Sequence, residues 1–147
     1  MRLTQATDYA LRATLYLARI EVGEVVDAET IAREEAIPLR FLLKIFRSLI
    51  KAKLVEAVRG AKGGYRLARP PDKITLLDVI QAVEGPVEIN RCLVDPEYCS
   101  KKWANFCPVH ETLSTVQKVV NELLDSISLA ELVHKSKRDT RDTKEVI

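Results

Sequence analysis

The segment "IPLRFLLKIFRSLIKAKL" predicts a helix with two distinct faces, and this helix limits the folds open to the chain. A glycine-rich hairpin follows the helix. Pro38 suits the first position of this helix. Apolar residues at i, i+3, i+4 and i+7 predict the face that meets a core: Leu42, Ile45, Phe46 and Leu49. Basic residues form a stripe on another face: Arg40, Lys44, Arg47 and Lys51. The pattern predicts a helix that is packed on one side and cationic on another.

The flanking segments place this helix within a recognisable order of elements. Two helices precede it, "TQATDYALRATLYLARI" and "GEVVDAETIAREEA", the second with Asp27 as its N-cap. Two β-type runs follow it, "LVEAV" and "YRLA", around a tip that carries Arg59 and Lys62. The tip glycines permit positive φ and close approach to a phosphate chain: Gly60, Gly63 and Gly64. The order predicts a mainly α protein with a small β-hairpin, a winged helix-turn-helix.

Charge is distributed unevenly along the 147 residues, whose formal net charge is only +2. Residues 39–75 contain ten basic and two acidic side chains, a local net of +8, whereas the remainder carries −6. A basic block on a nearly neutral chain favours a polyanionic partner, although a charged stripe alone is more often a solvated helix face. Stripe, hairpin tip and local charge together favour double-stranded DNA. The third helix would enter the major groove, with Arg59 and Lys62 against the backbone or the adjacent minor groove.

All three cysteines lie in one segment, "CLVDPEYCSKKWANFCPVH", which spans residues 92–110. The N-terminus does not resemble a signal peptide, so we expect a cytoplasmic location, where clustered thiols bind metal or perform redox chemistry more often than they form disulfides. Thiolates suit iron–sulfur clusters or zinc. Intervals of six and seven residues between the cysteines exceed the C-x-x-C spacing of zinc sites, but a long loop can wrap a bulkier cluster.

Three thiolates leave one ligand position open, and an exchangeable fourth ligand suits a sensor. A zinc site of three cysteines and one histidine remains an alternative, and buried core thiols fit this polar loop poorly. No second catalytic group accompanies any cysteine, so we do not expect an enzyme.

The C-terminal third changes pattern. A helix "TLLDVIQAVEG", with a capping pair at Thr75 and Asp78, precedes the cysteine loop. An apolar seam then steps by alternating intervals of four and three residues, a coiled-coil-like pattern: Val109, Leu113, Val116, Val120, Leu123 and Ile127. The seam could pack within the chain, but a two-fold dimer that matches a palindromic DNA site needs such a helix. Ser128 and Glu131 open a final short helix, and we expect the polar tail to be disordered.

These elements predict four units. Residues 1–85 form the DNA-binding domain and residues 86–108 the cysteine-bearing loop. Residues 109–134 form the dimerisation helix and the final short helix, and residues 135–147 the disordered tail. No apolar run is long enough to span a membrane.

The chain as a whole resembles the Rrf2 family of bacterial transcription regulators, which includes iron–sulfur regulators of the IscR and NsrR types. The resemblance covers residues 1–133 and rests on "MRLTQATDYALRA", "VRGAKGGYRLAR", "ITLLDVIQAVEGP" and the spaced cysteines. It implies a dimeric winged-helix repressor or activator whose cysteine loop binds an iron–sulfur cluster near the dimer interface. It also implies that Arg59 enters the minor groove and that Arg40, Phe41 and Lys44 sit on the reading helix. Leu43 stands where IscR-like members carry Glu, so base preference does not carry over.

The same resemblance implies two candidates for the fourth ligand beside Cys92, Cys99 and Cys107. His110 follows Cys107 by three residues, similar to the Cys-x-x-His pairing of IscR-like proteins, which hold a 2Fe–2S cluster. Asp8 matches the carboxylate that the partner subunit supplies to a 4Fe–4S cluster in NsrR-like proteins. His110, and with it a 2Fe–2S cluster, is favoured over Asp8, which an i, i+4 ion pair with Arg12 could also explain.

The expected function is therefore a homodimeric transcription regulator that binds a pseudo-palindromic operator. An iron–sulfur cluster would modulate this binding in response to iron, redox state or nitric oxide. The alternative is a zinc-stabilised dimeric DNA-binding or interaction module without redox sensing.

Overall fold

The computed structural model describes residues 1–145 of the chain, and their side chains as far as residue 137. Six α-helices and one two-stranded hairpin are described: α1 (Gln5–Arg19), α2 (Ala28–Glu34), α3 (Leu39–Lys51), β1 (Val55–Val58), β2 (Gly64–Leu67), α4 (Leu76–Glu84), α5 (Pro108–Ser126) and α6 (Leu129–Glu145).

Local capping starts the first two helices where the sequence predicts them. The Thr4 hydroxyl accepts a hydrogen bond from the Thr7 amide at 3.3 Å and begins α1. The Asp27 carboxylate accepts one from the Thr30 amide at 3.1 Å and begins α2. Pro38 lies one position earlier than expected, as the N-cap of α3, where it has no side-chain hydrogen bond.

The core lies where α1, α3 and α4 meet, with the start of α6 closing one side. Ala10, Ala13 and Leu17 of α1 are buried, and so are all four residues predicted for the apolar face of α3. The remaining buried core residues come from α2, β1, α4, α6 and the segments that connect the elements: Ile31, Ala32, Ile37, Leu54, Val55, Ile74, Val79 and Leu129. A continuous core therefore fixes α3 so that its opposite face remains in solvent.

The hairpin is antiparallel, with Val55 opposite Leu67 and Val58 opposite Gly64. Tyr65 stacks on Phe46 of α3 with ring centroids 4.2 Å apart, which attaches the hairpin to the core. A Cβ on Gly64 would lie 2.3 Å from the carbonyl oxygen of Val26. The close approach of Val26 therefore requires glycine at this position, independently of any contact with a phosphate chain.

Helix α4 has the predicted capping box, in which the Thr75 hydroxyl accepts from the Asp78 amide and the Asp78 carboxylate accepts from the Thr75 amide. It ends at Gly85, whose φ is 79°. Between α4 and α5 the chain forms three short 3-10 turns, Arg91–Leu93, Pro96–Tyr98 and Ala104–Phe106. The cysteine segment is therefore a loop, as predicted.

Helix α5 ends one residue before the predicted seam does. Ile127 is extended, and its carbonyl accepts a hydrogen bond from the Leu76 amide at 2.9 Å. The next residue but one, Leu129, is fully buried and donates from its amide to the Ile74 carbonyl. The connection between α5 and α6 is thus part of the core, and Ile127 does not continue the exposed helix.

Helix α6 continues to Glu145, past residue 134, where the sequence predicted the final short helix to end and a disordered tail to begin. Leu129 anchors the first turn, and a helix that is already nucleated adds one hydrogen bond for each further residue. Lys135 and Lys137 belong to a residue type that favours helices, so polarity alone does not end α6. Residues 146–147 lie outside the described part. No described helix is both long enough and apolar enough to cross a bilayer.

Candidate DNA-binding face and cysteine site

The exposed face of α3 carries the basic stripe. Arg40, Lys44 and Arg47 are exposed, and none of them forms an ion pair with any residue that the structure describes. Phe41 is 47% exposed, and the Arg40 guanidinium carbon lies 5.4 Å from its ring centroid. This face offers unneutralised cations and an apolar ring at the end of a rigidly packed helix.

The hairpin tip extends the same positive charge. Arg59 and Lys62 are exposed and have no ion-pair partner among residues 1–137, whose side chains the structure describes. Arg66, farther from the tip, is paired across the hairpin with Glu56, directly opposite in the strand register. Opposite charges cancel at the base of the hairpin, so its net positive charge is concentrated at the tip.

The three cysteines and His110 line one open pocket of about 500 Å³, formed by the loop and the first turn of α5. All three thiols are free and half-buried. The Nδ1 atom of His110 lies 3.3 Å from the Sγ atom of Cys92. All four residues of the preferred ligand set therefore line the same pocket, with His110 and Cys92 in direct contact.

Backbone amides surround the Cys99 sulfur. Hydrogen bonding from the amides of Trp103 and Lys101 lowers the pKa of the Cys99 thiol from its usual value, and the Lys102 amide and the Lys101 charge add to this effect. Lys102 makes this turn possible by adopting a left-handed φ of 50°. The turn therefore favours the thiolate of Cys99, which is the form of a cysteine that binds metals.

Thiolates and an imidazole are donors that both zinc and iron–sulfur clusters accept. Among the described residues, no three His, Cys, Asp or Glu side chains are grouped closely enough to hold one metal ion. Zinc needs four ligands that converge within about 2.3 Å of one point. A cluster distributes its ligands over more than one iron, and three soft sulfurs with one imidazole suit it.

Asp8 is elsewhere in the same chain. It lies in the first turn of α1, pairs with Arg12 at 2.9 Å and is not one of the residues that line the cysteine pocket. The predicted ion pair with Arg12 is confirmed.

Helix α5 exposes apolar side chains instead of burying them. No residue of α5 is buried. Apolar residues are exposed along one side of it: Val109, Val116, Val119 and Leu123. Leu113 and Val120, also in the predicted seam, are half-buried. Packing within the chain therefore leaves much of this face uncovered.

Two features of the structure, one at the cysteine site and one between α4 and α1, cannot be recognised from the sequence. The amides near Cys99 belong to the backbone, so no side-chain type announces them. Glu84, in the "AVEGP" motif, accepts hydrogen bonds from the Thr4 amide at 2.7 Å and the Thr7 hydroxyl at 2.6 Å, which joins the end of α4 to the start of α1. The motif indicates its family, but its sequence does not reveal this partner 80 residues away.

Most of the chain is similar to known proteins. The model of the family described as "Rrf2: Iron-dependent Transcriptional regulator" matches residues 3–135. The chain belongs to the Rrf2 family. A protein of Aquifex aeolicus assigned as an HTH-type transcriptional regulator is 32% identical over 134 residues, which cover 91% of this chain and 92% of that protein.

Solved structures agree with this assignment. CymR, the global cysteine regulator of B. subtilis, is 28% identical with a TM-score of 0.74 over 92% of this chain and 98% of that one. The T. potens IscR is 29% identical with a TM-score of 0.73 over 92% and 88% of the two chains. The oxidised form of Staphylococcus aureus CymR is 26% identical with a TM-score of 0.69 over 90% and 96%.

This Rrf2 protein is therefore a DNA-binding transcription regulator with a winged-helix fold, and not an enzyme. Both the predicted family and the predicted fold class are confirmed. Its structural relatives include a cysteine regulator as well as an IscR.

Proposed function

We propose that this Rrf2 regulator is a cytoplasmic homodimer that binds a pseudo-palindromic operator, and that an iron–sulfur cluster in the cysteine pocket modulates this binding. The observation that carries the sensing half is the shared pocket of Cys92, Cys99, Cys107 and His110. The observation that carries the DNA half is the unpaired basic face of α3 and the hairpin.

On the DNA, α3 lies in the major groove and presents Arg40, Phe41, Lys44 and Arg47 to base edges and phosphates. Arg59 and Lys62 reach the backbone or the adjacent minor groove from the hairpin tip. The absence of ion-pair partners for these cations among the described residues supports this assignment, because no internal pair must break before they meet phosphate. Leu43 is 36% exposed on the same helix, so it offers an apolar contact where IscR-like members carry a carboxylate.

The dimer forms through α5. Val116 and Leu123 are 43% and 61% exposed, and a second copy of the helix would remove them from water. A two-fold axis between the helices presents two α3 helices to two half-sites, which explains a pseudo-palindromic operator.

The cluster ligands are Cys92, Cys99, Cys107 and His110, and a 2Fe–2S cluster is favoured over a 4Fe–4S cluster. When bound, the cluster supplies chemistry that responds to iron, redox state or nitric oxide. Cys92 lies in the first 3-10 turn of the loop and His110 in the first turn of α5, so ligation by both residues ties the loop to the dimer helix. The amides at Cys99 stabilise its thiolate charge. These links would couple ligation to the relative placement of the two DNA-reading halves.

Asp8 of the partner subunit is the alternative fourth ligand, with a 4Fe–4S cluster. Ligation by Asp8 would compete with its ion pair to Arg12, whereas His110 already lies beside Cys92. The geometry within one chain therefore favours His110.

Anaerobic purification tests the sensing half. We expect brown protein with visible absorption, and we expect Cys92→Ser, Cys99→Ser and Cys107→Ser each to reduce that absorption. Ser100→Ala is the matched control, since it changes a residue next to Cys99 without removing a proposed cluster ligand. DNA affinity measured before and after removal of the cluster should differ. A colourless, iron-free and zinc-loaded preparation would instead support the zinc-stabilised module, and a metal-free preparation would remove both.

A further inference from the structure

Three contacts hold the side chain of Arg12 in place. One terminal nitrogen donates to the Glu35 carbonyl at 2.7 Å, and the other donates to the Asp8 carboxylate at 2.9 Å. Its guanidinium carbon lies 4.8 Å from the ring centroid of Tyr9. Its Nε atom is buried with no hydrogen-bond partner among the described residues. The other contacts must offset that cost.

The Glu35 carbonyl belongs to the turn between α2 and α3. Glu35 is the C-cap of α2, and the next residue, Ala36, has a left-handed φ of 52°. Ile37 is 3% exposed, and α3 begins at Leu39 without a side-chain cap. Carbonyls at the end of a helix lack partners within it, and Arg12 supplies one from α1. The turn that sets the direction of α3 is therefore attached to α1 by a charge-assisted hydrogen bond.

We propose that Arg12 is a positioning residue for DNA recognition, which acts by holding the α2–α3 turn and not by contacting DNA. This inference rests on the proposed role of α3 as the reading helix. A planar guanidinium can bond the Glu35 carbonyl and the Asp8 carboxylate at once, a geometry that a lysine ammonium does not reproduce. Without this clamp the buried Ile37 and the core face of α3 keep the fold, but the turn loses the hydrogen bond that fixes the position of the first turn of α3.

The test compares Arg12→Ala and Arg12→Lys with Arg19→Ala, an exposed arginine in the last turn of the same helix. The specific DNA site is first identified by selecting, from a pool of random duplexes, those that the wild-type dimer binds. Affinities for that site and for an unrelated duplex are measured over a range of salt concentrations, and circular dichroism monitors folding. Arg40→Ala and Lys44→Ala are measured alongside.

We expect Arg12→Ala to weaken specific binding by about tenfold, the scale of losing one good base contact, while binding to the unrelated duplex changes little. Arg12→Lys should show a smaller loss of the same kind, and Arg19→Ala should match the wild type. The salt slope should stay unchanged, since a lost phosphate contact lowers it by about 0.9.

Three results would overturn the proposal. A lower salt slope would make Arg12 a phosphate contact. Equal losses on both duplexes would make it a general structural residue, and no loss would remove its role. If Arg12→Ala does not fold, Arg12→Lys decides by the same criteria. If Arg40→Ala and Lys44→Ala leave specific binding intact, the role of α3 fails instead, and that failure is distinguishable from failure of the clamp alone.

Discussion

Helices α3 and α5 have apolar residues at similar helical spacing, yet their two apolar faces lie in opposite environments. The apolar face of α3 is packed into the core, with Phe46 only 1% exposed. The corresponding face of α5 is open, with Leu123 61% exposed. Periodicity shows that a helix has a side to cover, but it does not show what covers it. The DNA-reading half is complete within one chain, whereas the α5 half has a surface that a second chain can complete.

The largest expected effect concerns the covered face. Phe46→Ala should lower the free energy of unfolding by about 3–5 kcal/mol, because it leaves a cavity and removes the stack on Tyr65. Urea denaturation measures the change. Phe41→Ala, on the exposed side of the same helix, should change stability little. Similar losses for the two variants would contradict the described orientation of α3.

The second prediction concerns the open face. Val116→Glu should yield a folded monomer, because two carboxylates would meet at the two-fold interface. Loss of the second half-site contact should weaken operator binding by about 100-fold or more. Sedimentation and binding titrations measure the two effects. Val22→Glu is the control, because Val22 is 93% exposed outside α5 and its substitution should leave a dimer. A dimeric Val116→Glu variant would place the interface elsewhere.

A smaller effect on operator binding is expected at the hairpin tip, which belongs to the DNA-reading half that one chain completes. Arg59→Ala should weaken operator binding by about 1–3 kcal/mol if Arg59 makes a good groove contact, with no change in oligomeric state. Arg66→Ala makes a poor control, since Arg66 pairs with Glu56, so Arg19→Ala is the appropriate comparison. Unchanged binding by Arg59→Ala would remove the hairpin tip from the interface.

The smallest effect concerns the contact between α4 and α1. Burial by itself would raise the pKa of the Glu84 carboxyl, but hydrogen bonds from the Thr7 hydroxyl and the Thr4 amide outweigh it and lower the pKa below its usual value. A carboxyl whose pKa is lower in the folded state adds stability above its unfolded pKa and loses it as pH falls through the folded pKa. Glu84→Gln should therefore cost about 1 kcal/mol at neutral pH.

Thermal denaturation between neutral and acidic pH tests this expectation. The difference between the wild type and Glu84→Gln should shrink as pH falls. Glu97→Gln, in the exposed part of the cysteine loop, should track the wild type throughout. A difference that is constant with pH would mean that the charge of Glu84 contributes nothing.

Much of the reading half was predictable because its signals are local. The spacing of Leu42 and Phe46, the Asp27 cap and the glycine-rich hairpin each act within a few residues. What the sequence missed depends on distant contacts. Arg12 meets the Glu35 carbonyl, a backbone group that every residue has, and Glu84 meets Thr7 across 77 positions. Neither partner can be identified from spacing.

The candidate cysteine site likewise has features that the sequence predicted and features that it did not. The choice of Cys92, Cys99, Cys107 and His110 followed from chemistry and family resemblance, and the structure places all four around one pocket. The amides that stabilise the Cys99 thiolate required the left-handed turn at Lys102, which nothing in that residue type predicts. The end of the final helix was predicted from polarity, which ignored the anchor that buried Leu129 gives to α6.

Whether the cysteine pocket holds an iron–sulfur cluster can be measured by native mass spectrometry of the anaerobically reconstituted protein, with wild type, His110→Ala and Asp8→Ala compared. We expect a wild-type dimer that carries one iron–sulfur cluster for each chain, a cluster weakened or lost in His110→Ala, and an unchanged cluster in Asp8→Ala. Loss only in Asp8→Ala would move the fourth ligand to the partner subunit. A dimer that carries no iron under these conditions would contradict the claim.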